Sequence, residues 1–411
     1  MIAKIAWRNL WRNRTRTGIV ISAIAFSYGL MLFLFGVADY SYQEMGEATV
    51  SAVGGHVLIH GEGYWEMPTG GQVVEQPGAV RAELEAMPQV EAVAERVIAF
   101  GLLSSPDATE GAQIMGVRPG EEGPFFDLER QVVEGEFLTS GRARPVVIDA
   151  NQAELLGLSI GDRLVVTATD LEGEVTRGLF FIDGLLRGMP GQAGEGRAFV
   201  LLEDFQELLG YGERVTQIGV RLVNDDARRS VALAAISLFE GRDLEVLTWD
   251  DAVPELVTLI EFDQAFTYIY VLIIMIIVVL GITNTLLMAV MERIREIGLL
   301  SALGLTPRRV GGLIVIETMM MTAVAMGVGL LLGLAGHFYM VEVGIDLSAT
   351  MEMDMEISGV NLDMMMIHSH LDPGRWITGS VVIFVFVCLS ALYPAFKATR
   401  LAPSEAMRFY E

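Results

Sequence analysis

The stretch FTYIYVLIIMIIVVLGITNTLLMAV, residues 266–290, contains no Asp, Glu, Lys or Arg. As an α-helix it would extend about 37 Å at about 1.5 Å per residue, which exceeds the roughly 30 Å hydrocarbon core of a bilayer. Residues 19–38, 310–336 and 376–396 form three similar apolar stretches, and Glu317 is the one charged residue among the four. The sequence therefore predicts four membrane-spanning helices.

The region between the first and second apolar stretches is acidic. From Asp39 to Asp263 it holds 40 acidic and 15 basic residues, a net charge of −25 beside −24 for the whole chain. A negative exterior argues against nucleic acid as a partner. Strand-like segments alternate with short helical ones, which predicts an α+β domain. The predicted strands are 90–103, 113–117, 145–149, 179–186, 198–202, 217–222 and 244–247, and residues 158–169 are predicted as a Gly-Asp turn followed by a strand. The predicted helices are 79–87, 150–156 and 227–238.

Twelve basic residues outside this region set the orientation. They are Lys4, Arg8, Arg12, Arg14, Arg16, Arg293, Arg295, Arg308, Arg309, Lys397, Arg400 and Arg408. All of them lie on one side of the four stretches, which the positive-inside rule identifies as the cytoplasm. We therefore predict a membrane α-helical fold with four transmembrane helices in a 1+3 arrangement and a large α+β extracytoplasmic domain between helices 1 and 2.

This topology divides the chain into nine segments. They are a cytoplasmic amphipathic N-terminal helix (1–17), TM1 (18–38), the extracytoplasmic, periplasmic domain (39–263), TM2 (264–290), a cytoplasmic coupling helix (291–309), TM3 (310–336), a second outer loop (337–375), TM4 (376–396) and a cytoplasmic C-terminal tail (397–411).

Three cytoplasmic motifs carry a resemblance to a known family. They are AWRNLWRNRTRT (6–17), ERIREIGLLSALGLTP (292–307) and YPAFKATRLAPSEAMR (393–408), and VVIDANQAELLGLSIGD (146–162) in the outer domain adds to them. Together with the four stretches, they resemble the FtsX-like ABC transporter permease family, which includes the lipoprotein-releasing permeases and the membrane half of the macrolide exporter.

The resemblance implies a permease subunit that pairs with a second permease, either identical or related, and with two copies of a separate ABC ATPase. It maps the family's coupling helix onto Glu292–Gly304. The ATPase-coupling candidates there are Glu292, Arg293, Ile294, Arg295, Glu296, Ile297, Gly298 and Leu300. The chain has no phosphate-loop motif, and Lys occurs only at 4 and 397. We expect no enzyme activity and no cofactor on this chain, with ATP and Mg bound by the partner ATPase.

The favoured function is extraction of lipoproteins or lipid-like cargo from the bacterial inner membrane. The alternatives are export of amphiphilic drugs or peptides with a periplasmic adaptor, and a transmembrane signalling module that controls a cell-wall hydrolase or a sensor kinase. A periplasmic carrier and membrane lipid are the other expected partners. The cargo candidates, which could equally contact lipid or the core, are Phe26, Met31, Phe33, Phe35, Phe262, Phe266, Tyr268 and Tyr270.

The sequence leaves the roles of three polar features undecided. Glu317 and Asn284 each lie about 10 Å deep from the cytoplasmic side, by about 1.5 Å per residue, and we expect them to pair within one chain or across a dimer. The pair would lock helices, transmit motion or transfer protons. The second outer loop is rich in Met and His, which suits an adaptable apolar surface better than a copper site. The spacing of His56 and His60 in the outer domain is equally consistent with chance, so we expect no metal site.

Overall fold

The structure is a computed structural model of the chain. It describes residues 2–12, 14–66, 71–126, 128–139, 141–187, 196–292, 294, 306–346, 356–357, 360–361 and 366–399. The chain divides into two compact units. The helical unit comprises Met1–Glu44, Ile260–Met351 and Met365–Glu411, and the sheet unit comprises Met45–Leu259 and Glu352–Met364.

The described residues form the following α-helices: α1 (Ile2–Arg12), α2 (Arg14–Val53), α3 (Pro77–Glu85), α4 (Pro119–Glu122), α5 (Leu128–Gln131), α6 (Ala150–Leu156), α7 (Leu202–Leu209), α8 (Arg228–Leu238), α9 (Trp249–Ala252), α10 (Pro254–Glu292), α11 (Pro307–Glu342), α12 (Pro373–Ser390) and α13 (Leu392–Thr399).

The strands are β1 (Val57–Gly61), β2 (Val90–Ser104), β3 (Thr109–Val117), β4 (Val132–Gly135), β5 (Pro145–Asp149), β6 (Arg163–Thr169), β7 (Val175–Leu186), β8 (Gly196–Leu201), β9 (Gln217–Leu222), β10 (Leu244–Thr248), β11 (Ile345–Asp346), β12 (Glu356–Ile357), β13 (Val360–Asn361) and β14 (Met366–Ile367).

Four helical segments are long and apolar enough to cross a membrane: Thr17–Val53, Pro254–Glu292, Pro307–Glu342 and Pro373–Thr399. Each contains one of the predicted apolar stretches and extends beyond it, because helical hydrogen bonding continues past the apolar residues. The fourth segment is interrupted at Ala391, between α12 and α13. Pro394 explains the break, since a proline ring clashes with the carbonyl four residues earlier, here that of Ser390.

Helices α2 and α11 cross at glycine residues. A Cβ atom on Gly29 would lie 3.0 Å from the Gly329 carbonyl oxygen, and one on Gly329 would lie 2.6 Å from the Ala25 carbonyl oxygen. Gly333, one turn after Gly329, packs against the Leu32 side chain. Small residues four apart let two membrane helices approach closely and gain van der Waals contact. The crossing therefore depends on the absence of side chains at these positions.

Replacing Gly329 with alanine is expected to lower the free energy of unfolding by about 1–3 kcal/mol, because the added methyl group must push the α2 backbone away. The control is Gly327→Ala in the same helix, where an added Cβ would meet nothing within 4 Å. Thermal unfolding of the two purified variants in detergent measures the difference. Equal unfolding temperatures for both variants would contradict the close crossing.

The sheet unit is built on a ten-stranded mixed sheet, with the order β10-β1-β9-β2-β3-β8-β5-β7-β4 and with β6 paired to both β2 and β7. Strands β2, β3, β8, β5, β7 and β6 thus form a closed ring of hydrogen-bonded neighbours. The β3–β8 and β5–β7 pairs are parallel, and the other pairs in the sheet are antiparallel. The main apolar core includes Leu103, Ile114, Leu164, Phe180 and Phe205, all with no exposed surface.

Several elements agree with the sequence prediction. Strands Pro145–Asp149 and Gln217–Leu222 and helix Ala150–Leu156 have the predicted bounds. Asp149 caps that helix by accepting a hydrogen bond from the Asn151 N–H at 2.8 Å, and Gly157 ends it with a left-handed φ of 65°. The sheet unit therefore has the α+β character that the alternating pattern predicts. In the second outer loop, residues 351–355 lie outside the described residues, and Glu356 begins β12.

Candidate functional site

The predicted coupling segment follows the end of α10 and precedes the start of α11. Val290, Ile314, Ala395 and Ala398 form an apolar cluster there and bring together α10, α11 and α13. Helix α1 also packs on α11. Helices α10, α11 and α13 therefore form a packed base where α10 ends and α11 begins.

Two of the coupling candidates lie among the described residues. Glu292 is exposed at the end of α10, whereas Ile294 is buried, with 2% of its surface exposed. The remaining candidates, Arg293, Arg295, Glu296, Ile297, Gly298 and Leu300, lie outside the described residues. Burial of Ile294 beside an exposed Glu292 fits an amphipathic segment with one apolar and one charged side.

Helix α1 is amphipathic, as the sequence predicts, with small and aliphatic residues on its buried face. Ala6 and Leu10 are buried, whereas Trp7 and Trp11 are 47% and 50% exposed. Ala6 and Leu10 are four residues apart and share one face, and each Trp follows one position later and points aside. The Thr17 hydroxyl donates to the Leu10 carbonyl oxygen at 2.8 Å and fixes the turn into α2.

The predicted polar pair is placed on two different helices of the helical unit. Glu317 is half-buried on α11, next to buried Thr318, whose hydroxyl donates to the Ile314 carbonyl oxygen at 3.0 Å. Asn284 is exposed on α10. An exposed Asn284 is available to a second chain, so its pairing with Glu317 across a dimer stays a prediction.

A narrow apolar cleft lies between α2, α10 and α12. Its lining is aliphatic apart from Ser27 and Tyr28: Ile24, Ser27, Tyr28, Met31, Leu34, Val271, Ile274, Met275, Val278, Val279, Ile383 and Val387. The Tyr28 hydroxyl is 2.6 Å from the Ser380 Oγ, which joins α2 to α12. A cleft with this lining suits a hydrocarbon chain.

The cargo candidates separate into two groups. Met31 lines the cleft, and Phe35 is buried one turn beyond it, with 5% and 3% of their surfaces exposed. Phe33 is half-buried. The others lie on open helix surfaces and are more than half exposed: Phe26, Phe262, Phe266, Tyr268 and Tyr270. On this single chain, one subset can contact a molecule in the cleft and the other can contact lipid or a second chain.

A polar cluster, which we call the clasp, lies beyond the cleft and consists of Asp39, Tyr42, Asp263, Tyr268 and Arg375. The Arg375 Nη1 donates to the Asp39 Oδ1. The Tyr42 hydroxyl donates to the Asp263 Oδ2 at 2.6 Å, and Arg375 Nη2 lies 3.4 Å from the Tyr268 hydroxyl. The clasp thus links α2, α10 and α12.

The sequence prediction missed the clasp. A signal was present in the sequence. Twelve of the 28 basic residues lie in the predicted cytoplasmic segments and fifteen lie between Asp39 and Asp263, and Arg375 is the one that remains. It lies just before the predicted fourth span, and the structure places it in the first turn of α12, where a positive charge is unfavourable with respect to the helix dipole. Such a residue needs a partner, and Asp39 is the first carboxylate after the first apolar stretch.

In the sheet unit, three buried side chains bind the C-terminal end of α2. Arg96 Nη1 donates to the Gly54 carbonyl oxygen at 2.6 Å, Gln217 Nε2 to that of Val53 at 2.8 Å, and Arg197 Nη2 to that of Ala52 at 3.2 Å. These carbonyls otherwise lack helical partners, and positive charge is favourable at a helix C-terminus. We call this arrangement the helix socket.

A buried ion pair completes the helix socket. Arg96 donates from Nε and Nη2 to the two carboxylate oxygens of Glu122, at 2.8 and 2.7 Å, and both side chains are at most 1% exposed. Phe125 and Phe126 lie against the guanidinium, 4.6 and 5.1 Å from its Cζ. Burial, with Arg96 nearby, lowers the pKa of Arg197 to about 10. The socket therefore concentrates positive charge at the end of α2.

The two histidines of the outer domain are core residues. Burial lowers the pKa of His60 to about 4, and its Nδ1 lies 2.9 Å from the Thr216 carbonyl oxygen. Burial and Arg221 lower the pKa of His56, whose Nδ1 accepts from the Leu222 N–H at 3.2 Å. Among the described residues, no group of three or more His, Cys, Asp or Glu side chains could hold a metal ion.

Comparison with known proteins identifies the family. Residues 17–237 match the MacB-like periplasmic core domain, and residues 268–403 match the FtsX-like permease C-terminal region. The chain belongs to the FtsX-like permease family. This confirms the resemblance drawn from the three cytoplasmic motifs. The permease is a multi-pass membrane protein with a large extracytoplasmic domain.

Individual relatives cover most of the permease. The lipoprotein-releasing system transmembrane protein LolC of Haemophilus influenzae is 22% identical over 82% of both chains, and LolC of Neisseria meningitidis serogroup B is 24% identical over 75% of both. Among solved structures, the periplasmic region of MacB from Actinobacillus actinomycetemcomitans is 14% identical, with a TM-score of 0.36, over 51% of this chain and 95% of that one. The extracellular domain of the ABC-type transporter YknZ is 16% identical, with a TM-score of 0.33, over 47% of this chain and 98% of that one.

Proposed function

We propose that this permease extracts lipoproteins or other lipid-anchored cargo from the outer leaflet of the bacterial inner membrane. The apolar cleft between α2, α10 and α12 is the observation that carries the proposal, because an acyl chain is the part of such a cargo that must leave the bilayer. The relatives named as lipoprotein-releasing proteins support the same cargo. Met31 and Phe35 belong to the cleft and its outer end, and the exposed aromatic residues of α10 would meet the cargo or lipid beside it.

The proposed topology has helices in a 1+3 arrangement, with the sheet unit in the periplasm and the termini in the cytoplasm. A separate ABC ATPase, in two copies, would bind ATP and Mg and dock against Glu292–Gly304. A second permease, identical or related, would complete the transporter. The absence of a phosphate-loop motif from the sequence supports an ATPase on another chain.

The proposed mechanism transmits motion rather than opening a solute channel. Nucleotide-driven closure of the ATPases would move the coupling segment and, with it, the packed base formed by α10, α11 and α13. Helix α2 runs as one helix from Arg14 to Val53, and the socket grips its last carbonyls. A movement of α2 would therefore be passed to the sheet of the periplasmic domain through Arg96, Arg197 and Gln217.

Replacing Val278 with tryptophan is expected to reduce cargo release on the order of tenfold, because the larger ring fills the cleft that the acyl chain would occupy. Val278 lines the cleft on α10 and is half-buried. Release is measured with the permease and its ATPase in proteoliposomes that carry an acylated protein, by counting acylated protein transferred to a soluble acceptor after ATP is added.

The matched control is Ile277→Trp, the same substitution one position away on the exposed side of α10, where 64% of the side chain is exposed. It should release cargo as the unchanged protein does. Full release by Val278→Trp would contradict cargo passage through the cleft.

The match to the MacB-like periplasmic core domain favours export with a periplasmic adaptor as the second candidate. The two functions predict different copurified molecules. Acylated protein bound to the permease in the absence of nucleotide supports extraction. An adaptor protein with no acylated cargo supports export.

A further inference from the structure

The clasp lies next to one end of the apolar cleft, on the same three helices. Leu34 is the last cleft residue of α2, and Asp39 follows it by five residues, or about 7.5 Å along a helix. Tyr268 precedes the cleft residue Val271 by one turn on α10. On α12, Gly379 packs against Met31 and Phe35, and Arg375 lies one turn before it. An apolar cleft is thus followed by a charged cluster, which matches the apolar tail and charged headgroup of an amphiphile.

The clasp carries both signs of charge and lies among three aromatic rings. Arg375 Cζ lies 5.5 Å from the Phe35 ring, 5.9 Å from Tyr42 and 5.6 Å from Tyr268. Such rings attract an ammonium group as well as a guanidinium. With Asp39 and Asp263 against one Arg375, the clasp has an excess of negative charge, which favours a ligand that contains a cation.

One oxygen of the clasp is left without a hydrogen-bond partner. The Oδ2 of Asp39 is buried and makes no hydrogen bond, and the Asp39 side chain is 9% exposed. A buried carboxylate oxygen without a donor is costly, and native structures seldom leave one unmet. This oxygen therefore points to a donor, such as a primary ammonium, that none of the described residues supplies.

We propose that the clasp and the cleft together bind one zwitterionic phospholipid of the phosphoethanolamine class. Its phosphate would contact Arg375, its ammonium would donate to Asp39 Oδ2 beside the Tyr268 ring, and an acyl chain would occupy the cleft. Such a headgroup exchanges the internal Arg375–Asp39 pair for two external pairs, so that Arg375 and Asp39 each keep a partner of opposite charge. An anionic phospholipid would satisfy Arg375 but strand Asp39, a costly arrangement for a buried charge.

The proposal deepens the proposed function by naming a lipid that occupies the cargo cleft, and it rests on the placement of the helices in a bilayer. Its test needs no nucleotide, ATPase or acylated protein. Failure of lipid selection would therefore leave the release assay above intact, and failure of release would leave lipid selection intact.

The experiment compares lipids retained by the purified full-length chain. The detergent-solubilised permease is equilibrated with equimolar phosphatidylethanolamine, phosphatidylcholine and phosphatidylglycerol of matched acyl chains, and native mass spectrometry counts the lipids that remain bound. We expect phosphatidylethanolamine to exceed phosphatidylglycerol about tenfold. Phosphatidylcholine, which keeps the positive charge but has no N–H donor, should lie between them. Millimolar soluble phosphoethanolamine should not displace the bound lipid, because it lacks the chain that fills the cleft.

The decisive variant is Asp39→Asn. It removes the carboxylate that requires a cation and frees Arg375 for any phosphate, so the preference for phosphatidylethanolamine over phosphatidylglycerol should fall about tenfold. Arg375→Gln should lower retention of both lipids. Tyr268→Leu, at an exposed position that leaves the ion pair in place, should lower retention of phosphatidylethanolamine about threefold.

Arg308→Gln is the control, because Arg308 is an exposed arginine at the start of α11 and outside the clasp. It should leave the lipid ratio unchanged. Equal retention of the zwitterionic and anionic lipids by the unchanged protein would overturn the proposal. Unchanged lipid ratios in both Asp39→Asn and Tyr268→Leu would also overturn it, as would displacement of the bound lipid by soluble phosphoethanolamine.

Discussion

Replacing Glu122 with alanine is expected to lower the free energy of unfolding of the sheet unit by about 3–5 kcal/mol, because it leaves the buried Arg96 guanidinium without a counter-charge. Both side chains are at most 1% exposed, and two hydrogen bonds of 2.7 and 2.8 Å join them. Arg96 also holds the Gly54 carbonyl oxygen at the end of α2. The substitution should therefore loosen the helix socket as well as the core around it.

The measurement is denaturant unfolding of the full chain in detergent, followed by the fluorescence of Trp249, which lies in the sheet unit, with the other four tryptophans replaced by phenylalanine. The control is Glu121→Ala, at the neighbouring position. Glu121 pairs with Arg81 at 2.6 Å, but both side chains are 21–27% exposed. A pair of that kind contributes about 0.2–1 kcal/mol. Equal losses for the two variants would contradict the role assigned to Arg96 and Glu122.

Reversing the charge of Arg293 and Arg295 together to glutamate is expected to reduce copurification of the ATPase on the order of a hundredfold. Both residues lie in the proposed coupling segment, and the reversal places like charges across the interface, which costs several kcal/mol. The readout is the amount of ATPase retained by affinity-purified permease, with ATP hydrolysis in proteoliposomes as a second measure.

The matched control replaces Arg308 and Arg309 with glutamate, which changes the net charge by the same amount. Both residues are exposed at the start of α11. It should retain the ATPase. Equal loss in both double variants would indicate a general effect of charge rather than docking. ATPase retention after reversal of Arg293 and Arg295, combined with polar replacement of Ile294 and Ile297, would show that the coupling assignment is wrong.

Much of the local structure could be predicted from the sequence, because it depends on neighbouring residues. The strand Pro145–Asp149 is built on three consecutive β-branched residues, Val146–Ile148, and the helix after it starts at an Asp cap and ends at Gly157. The apolar stretches are equally clear, since a bilayer sets their minimum length. The ring of strands could not be predicted in this way. Its parallel β3–β8 and β5–β7 pairs join segments far apart in sequence, and their register depends on the complete core.

The charged parts of the site were missed for a similar reason. Arg375 and Asp39 are 336 positions apart, and Arg96 and Glu122 look like ordinary surface residues in an acidic region. Only the fold shows that Arg375 and Asp39 pair in a partly buried position and that Arg96 and Glu122 are buried together. Where α1 packs on α11, the small Ala6 is buried beside Leu10, and Trp7 and Trp11 stay exposed. Close helix packing favours small side chains over large aromatic ones.

The proposed function depends most on which residues lie on which side of the membrane. The direct measurement is labelling of single cysteines in whole cells with a thiol reagent that does not cross the inner membrane, after Cys388 is replaced by serine. Cysteines at Asp107, in the sheet unit, and at Arg309, at the start of α11, report the two sides. We expect Asp107→Cys to be labelled in intact cells and Arg309→Cys to be labelled only after lysis. Labelling of both positions under the same conditions would contradict the proposed topology, and with it the docking of an ATPase on one side and a cargo-handling domain on the other.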